Sequence, residues 1–122
     1  LASTENCIIV GKAADWILKD NPRVLSVYIE APRSFCRPRI MEKLGVSAET
    51  ADISITETDC YRAEYYSYYT GGNYWTNPVN YDITLNTARL GIEGCVEMII
   101  NALYTKFPDL KRIEENENQS EV

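Results

Sequence analysis

Asp59 and Arg62 stand three residues apart in a tyrosine-rich stretch of the chain. On a helix, side chains at this spacing share one face, so the carboxylate and the guanidinium would lie side by side. A carboxylate accepts hydrogen bonds from amino groups and sugar hydroxyls, whereas a guanidinium binds phosphate oxygens through parallel N–H groups. The pair therefore fits a nucleoside monophosphate, although exposed pairs of this spacing are also common on helices that bind nothing.

Three further cations follow apolar runs of the sequence. Lys12 comes directly after Gly11 at the end of the first run, and Arg37 and Arg39 follow the second run. Ligands of open α/β folds gather at the carboxyl ends of parallel strands, where these side chains would lie. They are candidate anion contacts, and the alternative for each is a solvated surface charge.

Most of the nine tyrosines fall between Asp59 and Tyr81, together with Trp75. Core packing alone does not require so many phenols in a segment that is otherwise polar. One interpretation is that they pack an amphipathic helix against the rest of the domain with their hydroxyls at the surface. The other is a surface that contacts a ligand or a partner protein, where tyrosine and tryptophan are favoured.

The elements that would position these side chains follow from the apolar pattern. Continuous apolar runs predict buried strands at Cys7–Val10 and Val24–Ile29, and an alternating run predicts a strand at Tyr81–Leu85. A short helix over Lys12–Lys19 would join the first two strands, giving a βαβ unit with parallel strands. The predicted fold class is α/β, a parallel sheet flanked by helices on both faces.

Three further helices are predicted. One starts near Pro32 and ends at Gly45, with a kink or a late start at Pro38. Ser47 is a suitable N-cap for a longer helix that runs toward Tyr69 and is broken by two glycines. In the last helix apolar residues recur at the spacing of one buried stripe: Ile92, Val96, Ile99, Ile100, Leu103 and Phe107.

The composition excludes several function classes. A length of 122 residues suits one domain, and the absence of histidine removes imidazole-dependent nucleophile pairs and His-bearing zinc sites. With 18 acids against 12 bases, the chain lacks the basic excess of nucleic-acid or membrane-surface binders. No apolar stretch approaches the roughly 18 residues of a membrane span. The four cysteines form no C-x-x-C pair, so we expect reduced thiols in a cytoplasmic protein.

Four segments together resemble one known family: CIIVGKAADWIL, VLSVYIEAP, TDCYRAEYYSYYTGGNYW and YDITLNTARLGIEG. Their order and distances are similar to those of the cytidylate kinase-like family, relatives of the P-loop nucleoside monophosphate kinases, over Leu1 to Leu103. The resemblance implies a three-layer P-loop NTPase sandwich that is incomplete at its N-terminus. It assigns residues 1–112 to the C-terminal part of this domain and leaves 113–122 as an acidic, disordered tail.

The resemblance also implies roles for the candidate residues. Lys12 would hold the monophosphate, and Asp59 and Arg62 would contact the cytidine and its phosphate. Arg39 would stabilise charge on the transferred phosphoryl group from a lid spanning about residues 37–80. Further lid contacts would come from Arg37 and Tyr66.

Three departures from the family pattern affect the expected activity. Lys12 stands where these enzymes usually have arginine, and Ile55 stands where bacterial cytidylate kinases have a further arginine. No G-x-x-x-x-G-K-[ST] phosphate loop occurs in the sequence. The expectation is part of a kinase that transfers the ATP γ-phosphoryl group, with Mg²⁺, to a CMP-like acceptor, the chain alone being inactive and supplying no metal ligands. The alternative is a non-catalytic nucleotide- or protein-binding module, and self-association through an exposed sheet is also considered.

Overall fold

The computed structural model describes residues 6–11 and 13–110. The predictions for Lys12 and for the tail at 113–122 therefore lie outside the described residues. Helices and strands follow in this order: α1 (Ala14–Ile17), β1 (Val27–Glu30), α2 (Arg33–Leu44), α3 (Ala48–Thr70), β2 (Ile83–Asn86) and α4 (Thr87–Lys106), with a 3₁₀ turn at Pro78–Asn80 before β2.

The described sheet has two parallel strands, with Val27 opposite Ile83 and Glu30 opposite Asn86. Parallel strands need a long crossover, which α2 and α3 supply. Helix α4 packs against both strands, whereas α2 and α3 pack chiefly against each other as a helical hairpin. The predicted α/β class with a parallel sheet is confirmed, and β1 and β2 lie within or beside the predicted runs.

The predicted strand at Cys7–Val10 is wrong. Residues 6–10 have no regular secondary structure, and the side chains of Ile8 and Val10 are 95% and 86% exposed. An apolar run becomes a strand only when a neighbour completes its backbone hydrogen bonds, and no described strand pairs with this run. The predicted βαβ unit is therefore not formed, and the helix expected over Lys12–Lys19 is reduced to α1.

The predicted ends of the α2–α3 hairpin are confirmed. Helix α2 begins after Pro32 and ends at Gly45, whose φ of 65° is the left-handed conformation that glycine adopts easily. The late start considered at Pro38 does not occur, since α2 continues through that residue. The Ser47 side chain caps α3 by accepting the backbone N–H of Thr50 at 3.3 Å.

Only part of the stripe predicted for the last helix is buried. Cys95 and Phe107 are buried, together with Leu85 of β2. Ile92, Val96 and Ile100 remain 59%, 50% and 46% exposed, because a sheet two strands wide covers only part of the helix. The prediction of one fully buried stripe on α4 is therefore wrong for these three positions.

Candidate functional site

Asp59, Arg62 and Tyr66 lie on one face of α3 at positions i, i+3 and i+7. Asp59 and Arg62 are exposed, whereas Tyr66 is only 4% exposed. Tyr66 thus fixes the face of α3 that turns toward the rest of the domain. The helix predicted from the sequence therefore places Asp59, Arg62 and Tyr66 on one face of α3.

Tyr66 is held by a residue far away in the chain. Its hydroxyl donates a 2.7 Å hydrogen bond to Oδ2 of Asp15 in α1. Burial raises the pKa of Tyr66 well above its usual range, and the Asp15 carboxylate raises it further because it stabilises the protonated phenol. The Tyr66 hydroxyl therefore spends its one proton on Asp15 and can only accept from a nucleotide, and the contact predicted for this residue stays a prediction.

Beside Tyr66, three aromatic side chains form a cluster. The ring of Tyr28 in β1 stacks on Tyr81 with centroids 5.2 Å apart and meets Trp75 edge-on at 5.2 Å. The Tyr81 hydroxyl donates to the backbone carbonyl of Trp75. Burial, followed by the negative charge of Asp15 and the neighbouring Tyr28, raises the pKa of Tyr81 to about 12. These contacts join β1 to the turn that follows α3.

The pKa of Tyr28 depends on the charged residues Asp59 and Arg62 of α3. Burial raises the pKa of Tyr28, the carboxylates of Glu30 and Asp59 raise it further, and Arg62 acts in the opposite direction. The charges of Asp59 and Arg62 thus act on the Tyr28 hydroxyl in opposite directions. Sequence reasoning did not select Tyr28, although it is the only aromatic residue in the run Val24–Ile29.

The two arginines of the predicted lid differ in their surroundings. Arg37 donates from Nε to Oδ1 of Asp52 at 2.8 Å, so it braces α2 against α3. Arg39 lies over the ring of Phe35, with its guanidinium carbon 4.3 Å from the ring centroid. Within residues 6–11 and 13–110, Arg39 forms no ion pair with a carboxylate, so it is the freer of the two to meet an anion.

The sequence of the chain matches a known protein family. Residues 1–89 match the model of the cytidylate kinase-like family. The chain belongs to the cytidylate kinase-like family. The resemblance seen in the sequence motifs is thereby confirmed, and it covers the segments that carry Asp15, Tyr28, Asp59, Arg62 and Tyr66.

Two relatives from the genus Thermococcus are named cytidylate kinase. The chain is 28% identical over 104 residues to the protein of Thermococcus sibiricus, an alignment covering 85% of this chain and 52% of that protein. It is 27% identical over 117 residues to the protein of Thermococcus kodakarensis, covering 96% of this chain and 58% of the relative. The chain thus spans just over half the length of these curated relatives.

A solved structure has a similar fold. The crystal structure of an uncharacterized protein from Eubacterium ventriosum superimposes with a TM-score of 0.77 at 28% identity. The match covers 85% of this chain and 57% of the other. The similarity extends over most of the described elements, so the arrangement of a small parallel sheet with helices is shared with this protein.

The family implies ATP and Mg²⁺ as cofactors of full enzymes. Arg39 and Arg62 are exposed cations suited to phosphate oxygens. Over the described ranges, no group of three or more Asp, Glu, Cys or His side chains could hold a metal ion. Because Mg²⁺ is commonly held by nucleotide phosphates and one or two carboxylates, none of the described residues is assigned to it. In the same part of the chain, no helix has the length and apolar character needed to cross a membrane.

Proposed function

We propose that this chain is the acceptor-binding and lid portion of a nucleoside monophosphate kinase acting on a CMP-like acceptor. The observation that carries the proposal is that Asp59 and Arg62 share one exposed face of α3. A carboxylate and a guanidinium on one face match the two recognition needs of a nucleoside monophosphate. The family membership and the names of the two relatives support the same class of reaction.

Each residue would have a distinct part in the reaction. Arg62 would bind the acceptor phosphate through its planar guanidinium, and Asp59 would accept a hydrogen bond from an amino group or sugar hydroxyl. Arg39 would neutralise charge on the transferred phosphoryl group, which is most of what a protein contributes to phosphoryl transfer. ATP with Mg²⁺ would supply the phosphoryl group. Because the sequence contains no phosphate loop, we expect the chain alone to be inactive.

Ligand titration tests acceptor binding directly. We expect CMP to change the fluorescence of the chain, because Trp75 contacts Tyr28, whose hydroxyl responds to the charges of Asp59 and Arg62. Arg62→Ala should weaken CMP binding about tenfold or more, since a charge-assisted phosphate contact is lost. The control is Arg23→Ala, which removes an exposed arginine that pairs with Asp109 at 3.3 Å. UMP, AMP and ATP are titrated alongside to define the base preference.

The outcomes separate the parts of the proposal. CMP binding that survives Arg62→Ala, or weakens equally in Arg23→Ala, would contradict the assignment of the acceptor site. Turnover by this chain alone with ATP, Mg²⁺ and CMP, at ordinary enzyme rates, would contradict its expected inactivity. A CMP preference lost in Arg62→Ala, with no turnover, is the expected combination.

A second candidate, a non-catalytic binding module, is favoured by the exposed tyrosines of α3. Tyr61, Tyr68 and Tyr69 are 67%, 80% and 54% exposed, and the Tyr68 and Tyr69 rings meet at 5.0 Å. Exposed aromatic side chains of this kind are enriched in protein interfaces. A chain that responds to none of the four nucleotides would favour this candidate over the kinase.

A further inference from the structure

The hydrogen bond between Tyr66 and Asp15 is not explained by the acceptor site itself. It joins residues 51 positions apart and connects α3 to α1. From the sequence, Tyr66 is predicted only as a lid contact, and no role is predicted for Asp15. Asp15 is half-buried in a four-residue helix that follows a tight turn, in which Ala13 has a φ of 53°. A carboxylate in such a place is costly unless it is hydrogen-bonded, and Tyr66 supplies that bond.

Tyr66 is placed where it can set the orientation of α3. The α2–α3 hairpin packs chiefly within itself, so few contacts tie α3 to the sheet. Tyr66 is the largest of the three buried side chains of α3, the others being Ala51 and Thr70. A helix rotates by about 100° per residue, so anchoring one buried side chain determines which residues face the sheet.

The end of α3 is fixed around the same point. The Thr70 hydroxyl donates to the Tyr66 carbonyl at 2.7 Å and accepts the backbone N–H of Asn73 at 3.1 Å. The Asn73 side-chain amide donates a hydrogen bond to the Thr70 carbonyl at 2.8 Å. The turn that leads from α3 to Trp75 is therefore hydrogen-bonded to the last turn of the helix. Rotation of α3 would disturb both this turn and the Tyr66 bond.

We propose that Asp15 is a positioning residue for acceptor binding: by holding Tyr66, it sets the rotation of α3 and thereby the direction in which Asp59 and Arg62 face. The inference rests on the proposed function, since it assigns the effect to recognition of the monophosphate. Asp59 lies two turns before Tyr66 on the same face, and Arg62 lies one turn before it. A rotation of α3 at Tyr66 would therefore change the direction of both side chains.

Three single variants of the full chain test the inference by calorimetric titration with CMP. Asp15→Ala and Tyr66→Phe each remove the hydrogen bond, and we expect each to weaken CMP binding about three- to tenfold. Asp15→Asn keeps an oxygen that accepts from Tyr66, so it should retain affinity within about twofold. This rescue by the conservative variant identifies the acceptor oxygen, and not the negative charge, as the feature that matters.

A double-mutant cycle distinguishes positioning from general stability. If Asp15 acts through the placement of Arg62, then Asp15→Ala should have little further effect on CMP affinity in the Arg62→Ala background. Hydrogen exchange without nucleotide gives an independent measurement: amides of α3 from Asp59 to Thr70 should exchange faster in Asp15→Ala and not in Asp15→Asn.

Each alternative result has one meaning. CMP affinity that is unchanged in Asp15→Ala and Tyr66→Phe, while the unaltered chain binds CMP normally, would overturn the inference and leave the proposed function standing. Effects of Asp15→Ala and Arg62→Ala that simply add would do the same, as would unchanged exchange in α3. An unaltered chain that binds no CMP would overturn both, and this result is recognisable before any variant is made.

Discussion

At the scale of single residues, the partly buried phenols determine how the protein responds to alkali. Tyr81 stacks on Tyr28 and donates to the Trp75 carbonyl, and its pKa is raised to about 12 by burial and by nearby negative groups. The pKa is thus higher in the folded chain than the ordinary value of 10.0 expected after unfolding. Its protonated form is stabilised by folding.

The sign of the pH effect follows from this difference. The contribution of Tyr81 to stability is fully present below pH 10 and is lost as the pH rises toward about 12, because only the unfolded chain ionises in that interval. We expect the free energy of unfolding to fall over this range, and tyrosinate absorbance of the folded chain to show a fraction of phenols that ionise late. Urea unfolding at a series of pH values checks the first expectation.

Tyr81→Phe should reduce the late-ionising fraction of the absorbance titration and flatten the fall in stability. The control is Tyr68→Phe, which removes a phenol that is 80% exposed and lies outside the Tyr28 cluster. If all nine tyrosines ionise in one step, or if the two variants behave alike, the assignment of a protected Tyr81 is wrong.

At the scale of elements, Asp52 holds the α2–α3 hairpin together. Its carboxylate accepts from Arg37 at 2.8 Å, and Arg33 Nη1 lies 3.7 Å from the same oxygen while donating to the Asp52 carbonyl at 2.9 Å. The hydrogen bond from Arg37 lowers the pKa of Asp52 below its usual range, outweighing the effect of burial. One side chain of α3 therefore meets two cations of α2.

Removal of this charge should loosen the hairpin. Because the pKa of Asp52 is lowered in the folded chain, its contribution is present above the ordinary value of 3.8 and is lost as the pH falls below it. Asp52→Asn should therefore speed amide exchange in α2 and α3 at neutral pH, and the difference should shrink at high salt because both partners are partly exposed. Exchange measured by mass spectrometry checks this.

The matched control for Asp52→Asn is Glu57→Gln, an exposed acid further along α3. It changes the net charge of the same helix by the same amount without touching Arg33 or Arg37. Equal exchange in the two variants would mean that Asp52 has no special role in the hairpin. Since Arg37 is a predicted lid contact, the same substitution also shows whether releasing it alters nucleotide binding.

At the scale of the whole molecule, the apolar surface of α4 and the small sheet predicts self-association. Ile92, Val96 and Ile100 are about half exposed on one helix, and β1 is paired on one edge only within the described residues. Exposed apolar patches and open strand edges are sites of association. We expect sedimentation velocity to show a species larger than the monomer whose share grows with concentration.

Val96→Arg should shift this equilibrium toward the monomer, since a charge would then be buried in the contact. Thr56→Arg, at an exposed polar position of α3, serves as the control. Sedimentation as a monomer at every concentration would contradict the expectation, and equal effects of the two substitutions would place the contact elsewhere.

Local signals in the sequence determined the helices and the family. Gly45 and Ser47 end one helix and begin the next, because the conformation of a glycine and the reach of a serine hydroxyl depend only on neighbouring residues. The spacing of Asp59 and Arg62 determined their shared face for the same reason. Asp59 and Arg62 also lie in one of the family motifs, and the family match confirmed that resemblance.

Only the tertiary structure decided which apolar and polar groups found partners. The run Cys7–Val10 has the apolar pattern of a buried strand. It forms a strand only if another strand pairs with it, and the described residues supply none. Exposure of Val96 likewise depends on the width of the sheet. The bond between Asp15 and Tyr66 joins distant parts of the chain, and no local pattern specifies such a pair. Burial and hydrogen bonding are properties of what lies opposite a side chain, which folding alone determines.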